Sequence, residues 1–117
     1  MNIEEFRAYC LSKKEVSESF PFDESTLVFK VLNKMFAATN LNWEEFAVNL
    51  KCHPEKAIEL RAQYPSIQPG YHMNKKHWNT VSFEDGNLSN DFLKELIDHS
   101  YDLVVQSMPK KTRESLQ

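Results

Sequence analysis

The stretch Thr26-Leu27-Val28-Phe29-Lys30-Val31-Leu32-Asn33-Lys34-Met35-Phe36-Ala37-Ala38-Thr39 decides the class of fold. Leu27, Phe29 and Val31 alternate with Val28, Lys30 and Leu32, which is the two-residue period of a strand. Asn33-Lys34 interrupts the apolar run before Met35 resumes it, and asparagine tolerates the positive φ of a tight turn. The spacing therefore predicts a β-hairpin. Further on, Phe46, Val48 and Leu50 fall on one face of residues 46–51, a third antiparallel strand.

Helical spacing brackets this sheet. Asn2-Ile3-Glu4-Glu5 reads as a capping box, and Ile3, Phe6, Tyr9 and Cys10 then recur along one face, so a first helix is expected over residues 2–14. Phe20-Pro21-Phe22-Asp23 ends that period, because proline cannot continue a helix, and residues 18–25 read as a loop held by two aromatic rings. His53-Pro54-Glu55-Lys56 opens a short second helix whose apolar stripe, Ala57, Leu60 and Tyr64, stops at Pro65. Pro69-Gly70 signals a turn. Aromatic and β-branched residues over 77–83 then read as more sheet, ending at Asp85-Gly86. Ser89 caps a long last helix with Leu93, Leu96, Ile97, Val104 and Met108 on its apolar face, closed by Pro109. The order α-β-β-β-α-β-β-α, without βαβ alternation, implies an α+β fold: an antiparallel sheet with helices packed mainly on one face. Residues 110–117 have little to bury and are expected to form a mobile tail or a terminal turn.

Length and composition narrow the function classes. The 117 residues suit one domain spanning 1–117, and 41% hydrophobic with 26% charged residues is ordinary globular usage, not that of a disordered chain. No apolar run approaches the roughly 18 residues that span a bilayer. Cys10 and Cys52 form no CxxC pair and follow no signal peptide, so a cytoplasmic protein with free thiols and no membrane partner is expected. A net charge of -3 means that any nucleic-acid binding must come from a local patch.

Three stretches resemble the YjbR/MmcQ family. They are Pro69-Gly70-Tyr71-His72-Met73-Asn74-Lys75-Lys76-His77-Trp78-Asn79-Thr80-Val81; Leu50-Lys51-Cys52 leading to Pro54-Glu55 and Leu60-Arg61; and Leu96-Ile97-Asp98-His99-Ser100-Tyr101-Asp102-Leu103-Val104 followed by Pro109-Lys110-Lys111. The resemblance implies a CyaY-like α+β fold, related in shape to frataxin, and a "double-wing" mode of DNA binding. Frataxin's iron chemistry does not transfer with the shape. Frataxin-like domains carry an acid-rich first helix, whereas here Glu4 and Glu5 are mixed with Arg7, Lys13 and Lys14.

The residues themselves point to a binding module without catalysis. Lys75 and Lys76 stand among Tyr71, His72, His77 and Trp78, and cations with flat rings suit phosphates and bases. Lys51 widens that patch, as do Arg61, Lys30 and Lys34, while Lys110, Lys111 and Arg113 form a basic end segment. The competing reading makes Trp78 and Tyr71 packing residues and the lysines solvated. Glu44-Glu45, Glu84-Asp85, Glu55 and Glu59 oppose a polyanion unless charge is strongly sided. His72, His77, Cys52, His53 and His99 show no metal-ligand spacing, and neither metal nor cofactor is expected. Asp98-His99-Ser100 is not a catalytic triad, since helical neighbours point about 100° apart. With two glycines and no GxSxG, nucleotide hydrolysis and serine hydrolysis are disfavoured. DNA is the expected partner. A small molecule or protein bound by the same His/Tyr/Trp surface is the alternative.

Overall fold

The computed structural model describes residues 1–116. In chain order the elements are α1 (Ile3–Leu11), β1 (Val16–Ser19), β2 (Thr26–Val31), β3 (Lys34–Asn40), β4 (Ala47–Lys51), α2 (Pro54–Gln63), β5 (Ile67–Pro69), β6 (Trp78–Ser82), α3 (Asn90–Gln106) and α4 (Lys110–Glu114). The six strands form one antiparallel sheet in the order β1-β2-β3-β4-β6-β5. The expected α+β class holds, and the expected element order is corrected at both ends of the chain.

At the start, β1 lies where a loop was expected. Val16-Ser17-Glu18-Ser19 carries one apolar residue, too few for a strand pattern, but an edge strand buries only one side and is often polar. Glu18 also accepts both Arg7 Nε (2.7 Å) and Arg7 Nη2 (2.5 Å) from α1, fastening the edge to the helix. The first helix ends at Leu11, short of the expected Lys14: the Ser12 hydroxyl bonds back to Tyr9 O, and Glu15 turns the chain at φ 59°. Lys13 leaves the helix to reach Asp98 of α3 at 2.5 Å, beside the hydroxyl of Tyr9 (2.6 Å) on the same oxygen. At the other end, residues 110–114 form the short α4.

The hairpin is present, with its turn at Leu32-Asn33 (φ 45° and 71°), one residue earlier than the spacing suggests. Two successive left-handed residues match the twist of the flanking strands. Strand alternation separates the sheet into two unlike faces. Leu27, Phe29, Val31, Ala37, Val48, Leu50, Ile67 and Val81 join Phe6 and Cys10 of α1, Ala57 and Leu60 of α2 and the apolar stripe of α3 in one core. Phe6 is its hub, fully buried with its ring 5.2–5.7 Å from those of Phe29, Phe46 and Phe83. Each such side chain contributes roughly 1.5–3 kcal/mol by leaving water. The core-facing stripe of α3 is Leu93, Leu96, Ile97 and Val104, as its periodicity predicts.

Between β3 and β4 the ladder stops early. Ala37 pairs with Leu50, but Phe36 is an extra residue in the β2–β3 register, a bulge that leaves its carbonyl without a strand partner. The fully buried Ser100 of α3 fills the gap: its hydroxyl donates to Phe36 O at 2.5 Å and accepts from Lys51 N at 2.8 Å. Ser100→Ala strands both backbone groups, so it is expected to cost about 1–3 kcal/mol in urea denaturation.

One residue earlier, His99 Nε2 accepts from the backbone N–H of His53 (3.2 Å), at the start of α2. Only a neutral imidazole can do so. Burial, and then the charge of Lys56, hold its pKa below the ordinary value. The folded state therefore binds fewer protons than the unfolded one, and stability is full above the unfolded value of about 6.5 and falls as pH drops toward the folded value. His99→Gln keeps an acceptor without titrating, so thermal melts across this window are expected to lose less stability in that variant than in the parent.

Candidate nucleic-acid interface

The second face of the sheet is built by the residues that alternate with the core. Cross-strand pairing lines up Ser19, Val28, Ala38, Asn49, Thr80 and Gln68 in one row. Beside that row stand Lys30, next to Val28 on β2, and Lys51, which pairs with Trp78. No strand position on this face is an Asp or Glu. Glu18, the only carboxylate in any strand, pairs with Phe29 on the core side.

The signature segment connects β5 to β6 and folds over this face. Tyr71 N donates to Thr80 Oγ1 (2.8 Å), Asn49 Nδ2 donates to Tyr71 O (3.1 Å), and the Thr80 hydroxyl donates to Asn49 Oδ1 (2.5 Å). Both backbone groups of Tyr71 are thus tied to the sheet while the residue as a whole stays 54% exposed. That ring stands 6.0 Å from Trp43, on the β3–β4 connection, and 4.1 Å from His72, whose φ is 58°. Trp43, Glu45, Ala47, Tyr71 and Thr80 line a shallow groove there of about 330 Å³.

The base of the loop is rigid. Gly70 N donates to Trp78 O (2.9 Å), and a Cβ on Gly70 would lie 2.8 Å from that of Trp78, closer than real contacts allow. Arg61 of α2 gives Nε to Asn79 Oδ1 (2.6 Å) and Nη2 to Trp78 O (3.2 Å) and to Lys75 O. Its planar fork holds the loop from beneath. The Lys75 ammonium donates to Gly70 O at 2.9 Å. Asn74 Oδ1 accepts from Lys76 N, and His77 O accepts from Cys52 N.

These contacts sort the expected residues. Tyr71, His72, Lys75 and Lys76 are exposed, and half-buried Lys51 and Trp78 are paired across β4 and β6. Lys75 holds the loop closed, and His77 is half-buried at its exit. Lys110 and Lys111 are not brought to this patch: α4 follows α3, which packs against β2, β3 and β4 from the core side. Sequence spacing missed Trp43, Asn49 and Thr80. The available signal was the polar residues of β4 and β6 at non-core positions, legible only once the strands are paired. Asp98, His99 and Ser100 bond in three separate directions, to Tyr9 and Lys13, to His53, and to the sheet.

Elsewhere, a cleft of about 450 Å³ lies between the start of α1 and the β3–β4 connection, with Trp43, Phe46, Phe83, Glu44 and Glu84 in its wall. Burial pushes the Cys10 thiol up to about 12 and raises that of Cys52, so neither is a ready nucleophile at neutral pH. Among the described residues no three His, Cys, Asp or Glu side chains gather as a metal requires, and no helix is long and apolar enough to cross a membrane.

Tight packing at Gly70 and solvent at Lys76 give opposite expectations. Gly70→Ala is expected to destabilise by about 1–3 kcal/mol through overpacking against Trp78. Lys76→Ala should stay within about 0.5 kcal/mol of the parent. Equal effects in denaturant titrations would contradict this division of the loop.

The family model YjbR matches residues 11–103. Over 116 residues the chain is 35% identical to the YjbR protein of Escherichia coli (strain K12), spanning 99% of this chain and 98% of that one. It is 41% identical over 93 residues to the YbdF protein of Escherichia coli O157:H7, spanning 79% and 75%. A crystal structure of a Deinococcus radiodurans protein with a DUF419 domain superposes with a TM-score of 0.90 at 42% identity, covering 98% of this chain and 87% of that one. For a Pseudomonas syringae crystal structure the TM-score is 0.74 at 30% identity, with 88% and 98% covered. A six-stranded antiparallel sheet, its helices and a family model spanning most of the sequence lead to one conclusion: this chain belongs to the YjbR family.

Proposed function

We propose that this protein is a noncatalytic DNA-binding module that uses the second face of its sheet together with the Tyr71–Trp78 loop. The observation that carries the reading is charge sidedness. Lys30 and Lys51 stand on a sheet face without carboxylates in its strands, bordered by the loop that carries exposed His72, Lys75 and Lys76 and, at the Ala47 end, by the single exposed carboxylate of Glu45 in its groove, although the chain as a whole is acidic. A local basic face can attract a polyanion despite a net charge of -3. In this reading residues 1–117 act as one domain in the cytoplasm, where its thiols stay reduced. The CyaY-like, double-wing use of the fold that the family resemblance implies belongs to the same reading.

Arg61 contributes by holding the loop in shape, its Nε and Nη2 being bonded to the protein; exposed Lys75 gives one of its three ammonium donors to Gly70 O and keeps the others for a phosphate. Lys110 and Lys111 stand apart from this face and supply at most a separate electrostatic attraction.

Fluorescence anisotropy with labelled DNA, duplex and single-stranded, tests the proposal at two salt concentrations. Binding at micromolar protein and about 50 mM salt should weaken steeply with added salt as counterions are released. Replacing Lys51 and Lys76 together by Ala should lower the salt slope by about two phosphate contacts while leaving the fold intact. No binding of either form at low salt would overturn the reading and favour a small molecule or a protein as the partner of the same His/Tyr/Trp surface.

A further inference from the structure

We infer that the form of DNA bound on this face is a single strand, its bases laid on the rings of Trp43, Tyr71 and His72 and its phosphates turned toward Lys51. This rests on the DNA-binding reading above and specifies the substrate within it.

The first argument is the tethering of Tyr71. Asn49 is 5% exposed and sits on the second face, where a buried polar side chain needs its own partners. It takes them from the Thr80 hydroxyl and Tyr71 O, while Thr80 accepts from Tyr71 N. Two strand residues therefore fix the backbone of an aromatic residue left half in solvent. Among the described residues the Tyr71 hydroxyl has no hydrogen-bond partner, so nothing in the fold uses the ring's polar end. An aromatic group held still at its backbone and free at its ring is preorganised to receive a flat partner.

The second argument is the arrangement of the rings. Trp43, Tyr71 and His72 follow one another at 6.0 and 4.1 Å between centroids. A duplex hides the faces of its bases inside its own stack, whereas a single strand offers them, and any base can stack on an aromatic side chain. Trp43 and Tyr71 meet edge to face at 69°, and small Ala47 and Thr80 floor the open groove that the two rings border, so a base can settle in that groove against them rather than between them.

Charge sets the direction. Glu45, whose carboxylate accepts from the Ser82 hydroxyl, lines the groove at the Ala47 end of β4. A carboxylate there repels phosphate and suits the amino edge of a base. Lys51 lies four residues along the same strand and on the same face, about 13 Å away. Bases at the Trp43 end and phosphates at the Lys51 end satisfy both.

The test compares a labelled mixed-sequence oligonucleotide of about 12 nucleotides, a length within the span of single-strand sites, with the duplex made from it, at one salt concentration. The single strand should bind at least about tenfold tighter. Tyr71→Ala and Trp43→Ala should each weaken it roughly 5- to 150-fold, the range of one lost base stack. The salt slope should be unchanged, because no cation is removed. Tyr71→Phe should retain binding, since the ring and not the hydroxyl is used, and circular dichroism of the Tyr71 variants should match the parent. Duplex binding as tight as the single strand, or Tyr71→Ala without effect, overturns this inference while leaving the DNA-binding reading in place. Absence of binding to both forms overturns the two together.

Discussion

The hydroxyl of Ser100 stands where the sheet would otherwise come apart. Beyond Ala37 and Leu50 the bulge at Phe36 removes the strand partner of one carbonyl, and the side chain of a helix supplies the replacement. A buried amide or carbonyl without a partner is costly, so the bulge and the serine depend on each other. Because Ser100 bonds to β3 and β4 at once, it also fixes the depth and rotation of α3 on the sheet. Its neighbours are then aimed by helical geometry alone: Asp98 toward α1, where it gathers Tyr9 and Lys13, and His99 toward the start of α2. One helix turn thus registers four other elements of the fold.

With every helix committed to one side, the other face is left to residues that the core does not need. Strand alternation gives that face its chemistry: most side chains turned inward are apolar, and those turned outward are mainly polar or small, with Val28, Met35 and Trp78 as the apolar exceptions. Hence Lys51 is the counterpart of buried Leu50, and Asn49 and Thr80 are the counterparts of buried Val48 and Val81. The loop between β5 and β6 can cross this surface because Arg61 and Gly70 shape its base from opposite sides, one by a fork of donors and the other by lacking a side chain.

Much of this was legible in the residues, and the failures have physical causes. Periodicity located the hairpin and the long helix because both bury a continuous apolar stripe. It missed β1 because an edge strand with one apolar residue has almost no stripe, and its attachment through Glu18 and Arg7 spans eleven positions. The early end of α1 escaped because Lys13 continues a helical pattern in sequence but is drawn off to Asp98, 85 residues away. For the site, composition pointed to the Tyr71–Trp78 segment but could not divide its cations. Lys75 and Lys76 are adjacent, chemically alike and both exposed, yet only the ammonium of Lys75 is tied back to the loop, at Gly70 O. Trp43 was invisible as a partner because 28 positions separate it from Tyr71, and only the pairing of β4 with β6 brings their neighbourhoods together.

The placement of the indole rings has an optical consequence. The chain has two tryptophans, Trp43 in the groove wall and Trp78 opposite Lys51, and both belong to the second face and its border. None lies in the core around Phe6, which is built from phenylalanine and aliphatic residues. Intrinsic emission excited in the indole band therefore originates at the second face and at its border with the cleft beside α1, whose wall Trp43 shares. Anything that settles there changes the solvent around the protein's two indole emitters, whereas events confined to the far side of the helices leave their emission unchanged.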